Sequence, residues 1–282
     1  MIPPLHIHLL DEFLLVADEE PVTTFETPRL QSLLAYLLLH RAVPQSRAHL
    51  AFLLWPDSTE QQAHTNLRKL LYLLRQTFPH ADSFMRIGRR SITWEPVNQE
   101  VTWTLDVQDF ERAIKQAEQA EGEQNMAAMR QALTQAVDLY RGDLLPSCYD
   151  EWILPERDRL RQTFFRALEH LIGLLEEARE EEAAISCALR LLRYDPLHEE
   201  TYRHLMRLYV VQGDRTSALR IYHSCATVLE RELGTVPGEA TREMYQRLMQ
   251  TDTSPTSRVV PNTYRNAAPF VGREREWAQL LS

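Results

Sequence analysis

One helical segment carries the side chains best suited to recognise a nucleic acid. Leucines recur at helical spacing over residues 60–76, and they would form the buried face of one helix. The polar residues between them then lie on the outer face or its shoulders: Gln61, Thr65, Arg68, Lys69, Tyr72 and Arg75. Side chains of these types bond DNA phosphates and base edges in the major groove. Asn66 lies beside the leucine stripe, where it either bonds a phosphate or ties the helix to its neighbour.

The charge around this segment is opposite in sign to that of the whole chain. The 282 residues carry a formal net charge of −9, which does not favour nucleic-acid binding by itself. Residues 58–94, however, hold six basic and two acidic residues, a net charge of +4. Arg89 and Arg90 belong to this cluster, at the predicted tip of a β-hairpin. The alternative to DNA contact is a solvated helix face beside an ordinary charged hairpin. The order of the elements, the clustered positive charge and the polarity of the outer helix face together favour DNA contact.

Strands and a first helix are predicted ahead of this segment. Three β-prone runs, at residues 5–9, 13–16 and 22–25, indicate a small antiparallel sheet. Thr27 and Pro28 suit the N-cap and the first turn of the helix that follows them.

The next elements complete the order of a winged helix-turn-helix. Ser46 is predicted to cap a second helix, and the third helix follows residues 57–58. Residues 84–87 and 91–94 then flank the hairpin tip as two strands. In this arrangement the third helix enters the major groove while the helix before it crosses the DNA backbone.

From residue 106 onwards the patterns are almost wholly helical. Asp106 is predicted to cap a helix, and the polar residues 118–124 predict a loop. Six further helical patterns follow, up to residue 250. Ala184 and Ala218 lie 34 residues apart on the second helices of two pairs, which is typical of tetratricopeptide repeats. Such repeats stack into an array with a concave binding face.

The predicted fold is mainly α with a small β part. A winged helix-turn-helix domain over residues 1–105 precedes an all-α tetratricopeptide-like domain over residues 106–250. Residues 251–268 are rich in Thr, Ser, Pro and Asn and predict a linker. Residues 269–282 would begin another domain.

Composition excludes several classes of protein. Only 8 glycines occur in 282 residues, which favours helices over a β-rich fold. The longest apolar run, residues 33–39, is far shorter than the roughly 20 residues of a membrane span, and no signal peptide is visible. Cys148, Cys187 and Cys225 are odd in number and far apart, so a reduced cytoplasmic protein is expected, with Cys187 and Cys225 as small buried residues.

Catalytic and metal-binding patterns are missing from the sequence. His6 and His8 share a strand face without an evident third ligand, so a structural placement is favoured over a metal. Residues 149–161 resemble a salt-bridged helix start more than an acid/base pair. GxSxG, HExxH and a complete phosphate loop do not occur, and we expect neither an enzyme nor a cofactor.

An ordered series of motifs resembles the antibiotic regulatory protein (SARP-type) family of bacterial activators. Four motifs of this sequence resemble the OmpR-type winged-helix domain of that family: LLAYL at 33–37, AFLLWP at 51–56, NLRK at 66–69 and LLR at 73–75. Further motifs resemble the bacterial transcriptional activator domain of the family: YRGDLL at 140–145, EW at 151–152, ER at 156–157, LR at 160–161, DPLHEE at 195–200 and ELG at 232–234. The resemblance covers about residues 5–250.

This resemblance implies a transcriptional activator that binds double-stranded promoter DNA, often at direct repeats. Thr65, Arg68, Lys69 and Tyr72 would meet the major groove. The residues implied at phosphates or the minor groove are Arg75, Arg89 and Arg90. The helical domain would pack on the winged helix and support contacts with RNA polymerase or with other protomers on the DNA, in the cytoplasm at the nucleoid. Residues 61–64, QQAH, carry fewer basic residues than many family members have there.

Two interpretations remain open beside this one. FVGRERE at 270–276 resembles the lead-in to a signal-transduction ATPase domain, which would make this chain the N-terminal part of a longer regulator; the alternative is a short tail. The rival function is a protein-interaction scaffold whose winged helix does not bind DNA.

Overall fold

The computed structural model describes residues 4–25, 27–41, 43–78, 80–96 and 102–250. The predicted linker at 251–268 and the residues 269–282 lie outside this part of the chain. Within it, no helix is both long and apolar enough to cross a membrane.

A four-stranded sheet joins the two ends of the first hundred residues. Strand β1 (Leu5–His8) lies between the antiparallel β2 (Leu14–Ala17) and the parallel β7 (Trp103–Leu105), and β3 (Glu20–Pro21) forms the edge beyond β2. The sequence patterns did not predict β7, because its partner strand lies at the opposite end of the domain.

The predicted strand at residues 22–25 is wrong. The Val22 amide still donates to the Leu15 carbonyl at 2.8 Å, but the chain then turns away from the sheet. Phe25 leaves the strand direction to stack on Phe13, with ring centroids 5.3 Å apart, and it meets Phe78 edge-on. Aromatic packing with Phe13 and Phe78 therefore outweighs the β propensity of this short run.

The helices of the winged helix-turn-helix follow in the predicted order. They are α1 (Pro28–Leu39), α2 (Arg47–Leu54) and α3 (Glu60–Thr77). The Ser46 hydroxyl accepts the His49 amide at 3.0 Å, so the predicted cap is confirmed. Helix α3 begins at Glu60, just after residues 57–58 as expected, with Thr59 as its N-cap.

A three-stranded wing follows the short helix α4 (Ala81–Phe84). Its hairpin strands are β5 (Met85–Ile87) and β6 (Ser91–Trp94), which confirms the predicted pair. The third strand, β4 (Gln45–Ser46), precedes α2 and pairs with β6. This two-residue strand was not predicted.

The helical domain consists of seven successive helices. They are α5 (Asp106–Gly122), α6 (Met126–Leu139), α7 (Ile153–Glu177), α8 (Glu181–Tyr194), α9 (Glu199–Val211), α10 (Arg215–Leu233) and α11 (Glu239–Gln250). The predicted loop at 118–124 is wrong over most of its length, since α5 continues to Gly122. Ala117 and Ala120 are buried, and their packing extends the helix through a polar stretch.

The repeat pattern marks buried helix contacts. Ala184 and Ala218 are fully buried, as expected for small residues at close helix crossings. Cys225 is buried as predicted, whereas Cys187 is only half-buried and that expectation was wrong.

The two domains share one continuous core and several backbone contacts. Leu10 and Leu144 form an isolated antiparallel bridge, and the Leu145 amide donates to the Leu9 carbonyl at 2.9 Å. Asp106 is the first helical residue of α5 rather than its N-cap, and its carboxylate accepts the amides of Leu9 and Leu10. The segment after β1 is therefore held from two sides by the helical domain.

Candidate nucleic-acid interface

Helix α3 has a polar, solvent-facing outer side and an apolar side that is buried in the domain core. Leu67 and Leu74 are buried in the domain core. All the predicted contact residues of this helix are accessible: Gln61, Arg68, Lys69, Tyr72 and Arg75 are exposed, and Thr65 and Asn66 are half-buried. Tyr72 is 69% exposed, which is unusual for a large aromatic side chain with no core role.

Hydrogen bonds along α3 order part of this face. One Arg68 guanidinium nitrogen donates to Thr65 Oγ1 at 3.1 Å, and the Thr65 hydroxyl donates to the Gln61 carbonyl at 2.9 Å. Gln62 Nε2 donates to Asn66 Oδ1 at 2.8 Å, so this oxygen is engaged within α3 and not with a neighbouring helix. These bonds hold the polar side chains along the helix axis.

Sequence reasoning missed two members of this surface. Gln62 and Gln76 are exposed on the same side of α3. Both fall on the outward side of the 3.6-residue period, so the helical pattern that identified the leucine stripe could have found them. Amide side chains suit adenine edges and phosphates equally well.

The wing carries its two arginines at the tip. Arg89 and Arg90 are exposed in the turn between β5 and β6. The turn is closed by the Gly88 amide, which donates to the Ser91 carbonyl at 2.9 Å. The Arg47 amide donates to the carbonyl of Arg90 at 2.9 Å, which ties the tip to the first residue of α2. The wing and the helix-turn-helix are therefore positioned relative to each other by backbone contacts.

Two other cations of the basic cluster have carboxylate partners. Arg75 Nε lies 3.3 Å from Asp82 Oδ1, and an Arg86 nitrogen lies 3.0 Å from Glu95 Oε1. All four side chains are substantially exposed, so these pairs are weak and screened by salt. A phosphate could replace either carboxylate at small cost.

The histidines and the acidic residues noted in the sequence have structural contacts. His6 Nδ1 is hydrogen-bonded to Thr104 Oγ1 at 2.8 Å, and His8 lies 3.9 Å from Asp106. Arg159 pairs with Glu156 and Glu111, as expected for a salt-bridged helix start. In the part of the chain that is described, no three His, Cys, Asp or Glu side chains converge as a metal site.

Comparison with known proteins identifies the helical domain. A sequence model of the bacterial transcriptional activator domain matches residues 105–249, about half of the chain. The matched region begins at the last residue of β7 and ends within α11, so it coincides with the helical domain of the structure.

Two curated regulators are similar over most of this chain. Regulatory protein AfsR of Streptomyces coelicolor is 25% identical in an alignment of 271 positions that covers 91% of this chain and 27% of AfsR. Transcriptional regulatory protein MoaR1 of Mycobacterium tuberculosis is 26% identical in an alignment of 243 positions that covers 79% of this chain and 73% of MoaR1. The chain thus spans about a quarter of the length of AfsR.

A solved structure shares the fold across both domains. Mycobacterium tuberculosis EmbR, in complex with a low-affinity phosphopeptide, matches with a TM-score of 0.68 and 20% identity over 88% of this chain and 65% of that chain. The architecture is a winged helix followed by a tetratricopeptide-like domain, as predicted. On the match over residues 105–249, the chain belongs to the bacterial transcriptional activator domain family, in agreement with its SARP-type motifs.

Proposed function

We propose that this chain is a sequence-specific DNA-binding transcriptional regulator that activates promoters by binding repeated sites through its winged helix. The observation that carries the proposal is the exposed face of α3, with Arg68, Lys69 and Tyr72, beside a wing that presents Arg89 and Arg90. A polar, basic helix face of this kind, fixed next to a basic hairpin, is suited to a major groove and its flanking phosphates.

The side chains divide into two roles in this proposal. Gln61, Thr65, Arg68 and Tyr72 meet base edges, with the Arg68 guanidinium suited to guanine. Asn66 and Lys69, on the shoulder of the helix, meet bases or adjacent phosphates. The wing residues Arg89 and Arg90, together with Arg75, meet phosphates or the minor groove; Arg75 exchanges its exposed partner Asp82 for a phosphate oxygen.

The family to which the chain belongs supports a proposal for its wider partners. We propose that the helical domain supports contacts with RNA polymerase or with further copies of the chain on repeated sites. The proposed compartment is the cytoplasm, at the nucleoid. No catalytic role is assigned to these residues, and no cofactor is invoked.

Selection from a pool of random duplex DNA at two salt concentrations tests the proposal. We expect enrichment of a short repeated motif whose affinity falls as salt rises. The double variant Arg68→Ala/Lys69→Ala should lose this affinity. Its matched control is Arg112→Ala/Lys115→Ala, which removes the same charge from an exposed face of α5 and should bind like the wild type.

The rival scaffold function predicts another result. A scaffold would select no motif at low salt, and both double variants would be indistinguishable from the wild type. Absence of enrichment with the full chain would therefore support the scaffold.

We also propose the domain limits 1–105, 106–250, 251–268 and 269–282. Limited proteolysis tests them, since cleavage should occur first within residues 251–268. Protection of that segment would contradict the proposed boundary.

A further inference from the structure

Tyr36 of α1 lies where the helical domain meets the helix-turn-helix. Its ring contacts the Trp152 ring edge-to-face, with centroids 5.1 Å apart and planes at 89°. Its hydroxyl is hydrogen-bonded to Nε2 of His49, on α2, at 2.8 Å. Tyr36 is only 7% exposed, and its ring also stacks on His40 at 4.1 Å. One buried side chain thus touches the helical domain and α2 at once.

The helical domain also contacts the same face of α1 one turn and two turns before Tyr36. Trp152 Nε1 donates to Ser32 Oγ at 3.1 Å, and the Ser32 hydroxyl donates to the Asp150 carboxylate. The Arg29 guanidinium pairs with the other oxygen of Asp150. Arg29, Ser32 and Tyr36 lie three and four residues apart, so they face the segment 150–152 together.

The segment 150–152 is itself supported by the helical domain. The Arg157 guanidinium, on α7, donates to the carbonyls of Leu144, Leu145 and Cys148 at 2.6–2.9 Å. These bonds fix the backbone just before Asp150. The Ile153 amide donates to the Asp150 carbonyl at 3.2 Å and joins the segment to the start of α7. Asp150 and Trp152 therefore extend from a fixed support rather than from a free loop.

Helix α2 packs mainly on α3, and its contact with α1 is much smaller. It has 8 residues, and its buried side chains are Leu50, Ala51 and Leu54. These pack towards α3, whereas His49 is the α2 residue whose side chain is bonded to Tyr36. A short helix gains little stability by itself, so its placement depends on tertiary contacts, and the hydrogen bond between His49 and Tyr36 is one that links it to α1.

We propose that Asp150 and Trp152 are positioning residues of the DNA-binding surface, acting through Tyr36 and His49 on α2 and so on α3. This inference rests on the proposed function. Neither residue belongs to the exposed face of α3 or to the wing, so neither needs to touch DNA. The helical domain then sets DNA affinity by holding the helix-turn-helix in its binding geometry.

Two conservative variants test the inference in the full chain. Tyr36→Phe removes only the hydroxyl that meets His49 and leaves the ring contacts. Trp152→Phe keeps an aromatic ring beside Tyr36 and removes the N–H that meets Ser32. For each we expect a loss of affinity for the selected DNA of about threefold to tenfold, the size of one lost hydrogen bond.

The matched control is Tyr149→Phe. Tyr149 is a neighbouring aromatic residue that is 89% exposed, so removal of its hydroxyl should leave the affinity unchanged. A second readout is hydrogen exchange in the DNA-free protein. The amides of α2 should exchange faster in Tyr36→Phe and Trp152→Phe than in the wild type, while those in the middle of α7 and α10 are unchanged.

The outcomes separate this inference from the proposed function. If the wild type selects no DNA, the proposed function fails. Hydrogen exchange of the α2 amides then still decides whether the helical domain stabilises that helix. Wild-type affinity together with wild-type exchange in both variants would overturn the inference. Faster exchange throughout α7 and α10 would overturn it as well, because the variants would then lower only general stability.

Discussion

The Asp106 carboxylate accepts the backbone amide of Leu10 at 2.8 Å, across the boundary between the two domains. The same carboxylate accepts the amides of Leu9 and Val107. Asp106 is 7% exposed, and burial raises its pKa from 3.8 to about 6 even though the three amides act to lower it. One side chain thus ties the segment after the first strand to the first helix of the helical domain.

Asp106→Asn should destabilise the protein in a pH-dependent way. The NH₂ group that replaces one carboxylate oxygen cannot accept a backbone N–H, so only Oδ1 remains as an acceptor, which costs about 1–3 kcal/mol. In the wild type, the raised pKa contributes stability below pH 4 that is lost as pH rises through 6, about 3 kcal/mol in all. The free energy of unfolding should therefore differ more between wild type and variant at pH 4 than at pH 7.5. A difference that is constant or grows with pH in denaturant titrations would contradict this role of Asp106.

Gly142→Ala should destabilise the contact between the domains. A Cβ at Gly142 would lie 2.7 Å from Asp11 Oδ1 and 3.0 Å from its Cα, so the Asp11 backbone must move. We expect a loss of about 1–3 kcal/mol in the free energy of unfolding. Gly173→Ala is the control, since its Cβ would meet nothing within 4 Å in the interior of α7. That change should stabilise the protein by up to about 1 kcal/mol, and equal effects of the two substitutions would refute the account.

Ala184→Leu should destabilise the helical domain by about 1–3 kcal/mol, because this site is fully buried at a helix crossing. Ala183→Leu adds the same side chain at the preceding, exposed position and should change stability by less than about 0.5 kcal/mol. Thermal unfolding of both variants checks the prediction. Equal melting temperatures would mean that the 34-residue spacing does not mark a close helix contact.

Local patterns predicted the elements that local interactions determine. The Ser46 cap, the hairpin at 84–94 and the apolar stripe of α3 are encoded by neighbouring residues, and the structure confirms each of them. For the same reason, the exposed position of Arg68 and Lys69 followed from the period alone.

The remaining features depend on partners far along the chain. Strand β7 exists because Leu5 pairs with Trp103, and β4 because Gln45 pairs with Ile92. The polar end of α5 is helical because Ala120 is buried. The contact between Tyr36 and Trp152 likewise joins distant residues, and neither residue type alone indicates it. A single sequence gives no pattern for such pairings.

The most direct test is the affinity of wild type and two variants for the selected duplex and a scrambled one, over a range of salt concentrations. Arg68→Ala should lose about 1–3 kcal/mol on the selected duplex and little on the scrambled one. Arg89→Ala/Arg90→Ala should weaken both duplexes similarly and reduce the slope of log affinity against log salt by about 2. If both variants match the wild type in affinity and slope on both duplexes, then α3 and the wing are not the DNA-binding surface.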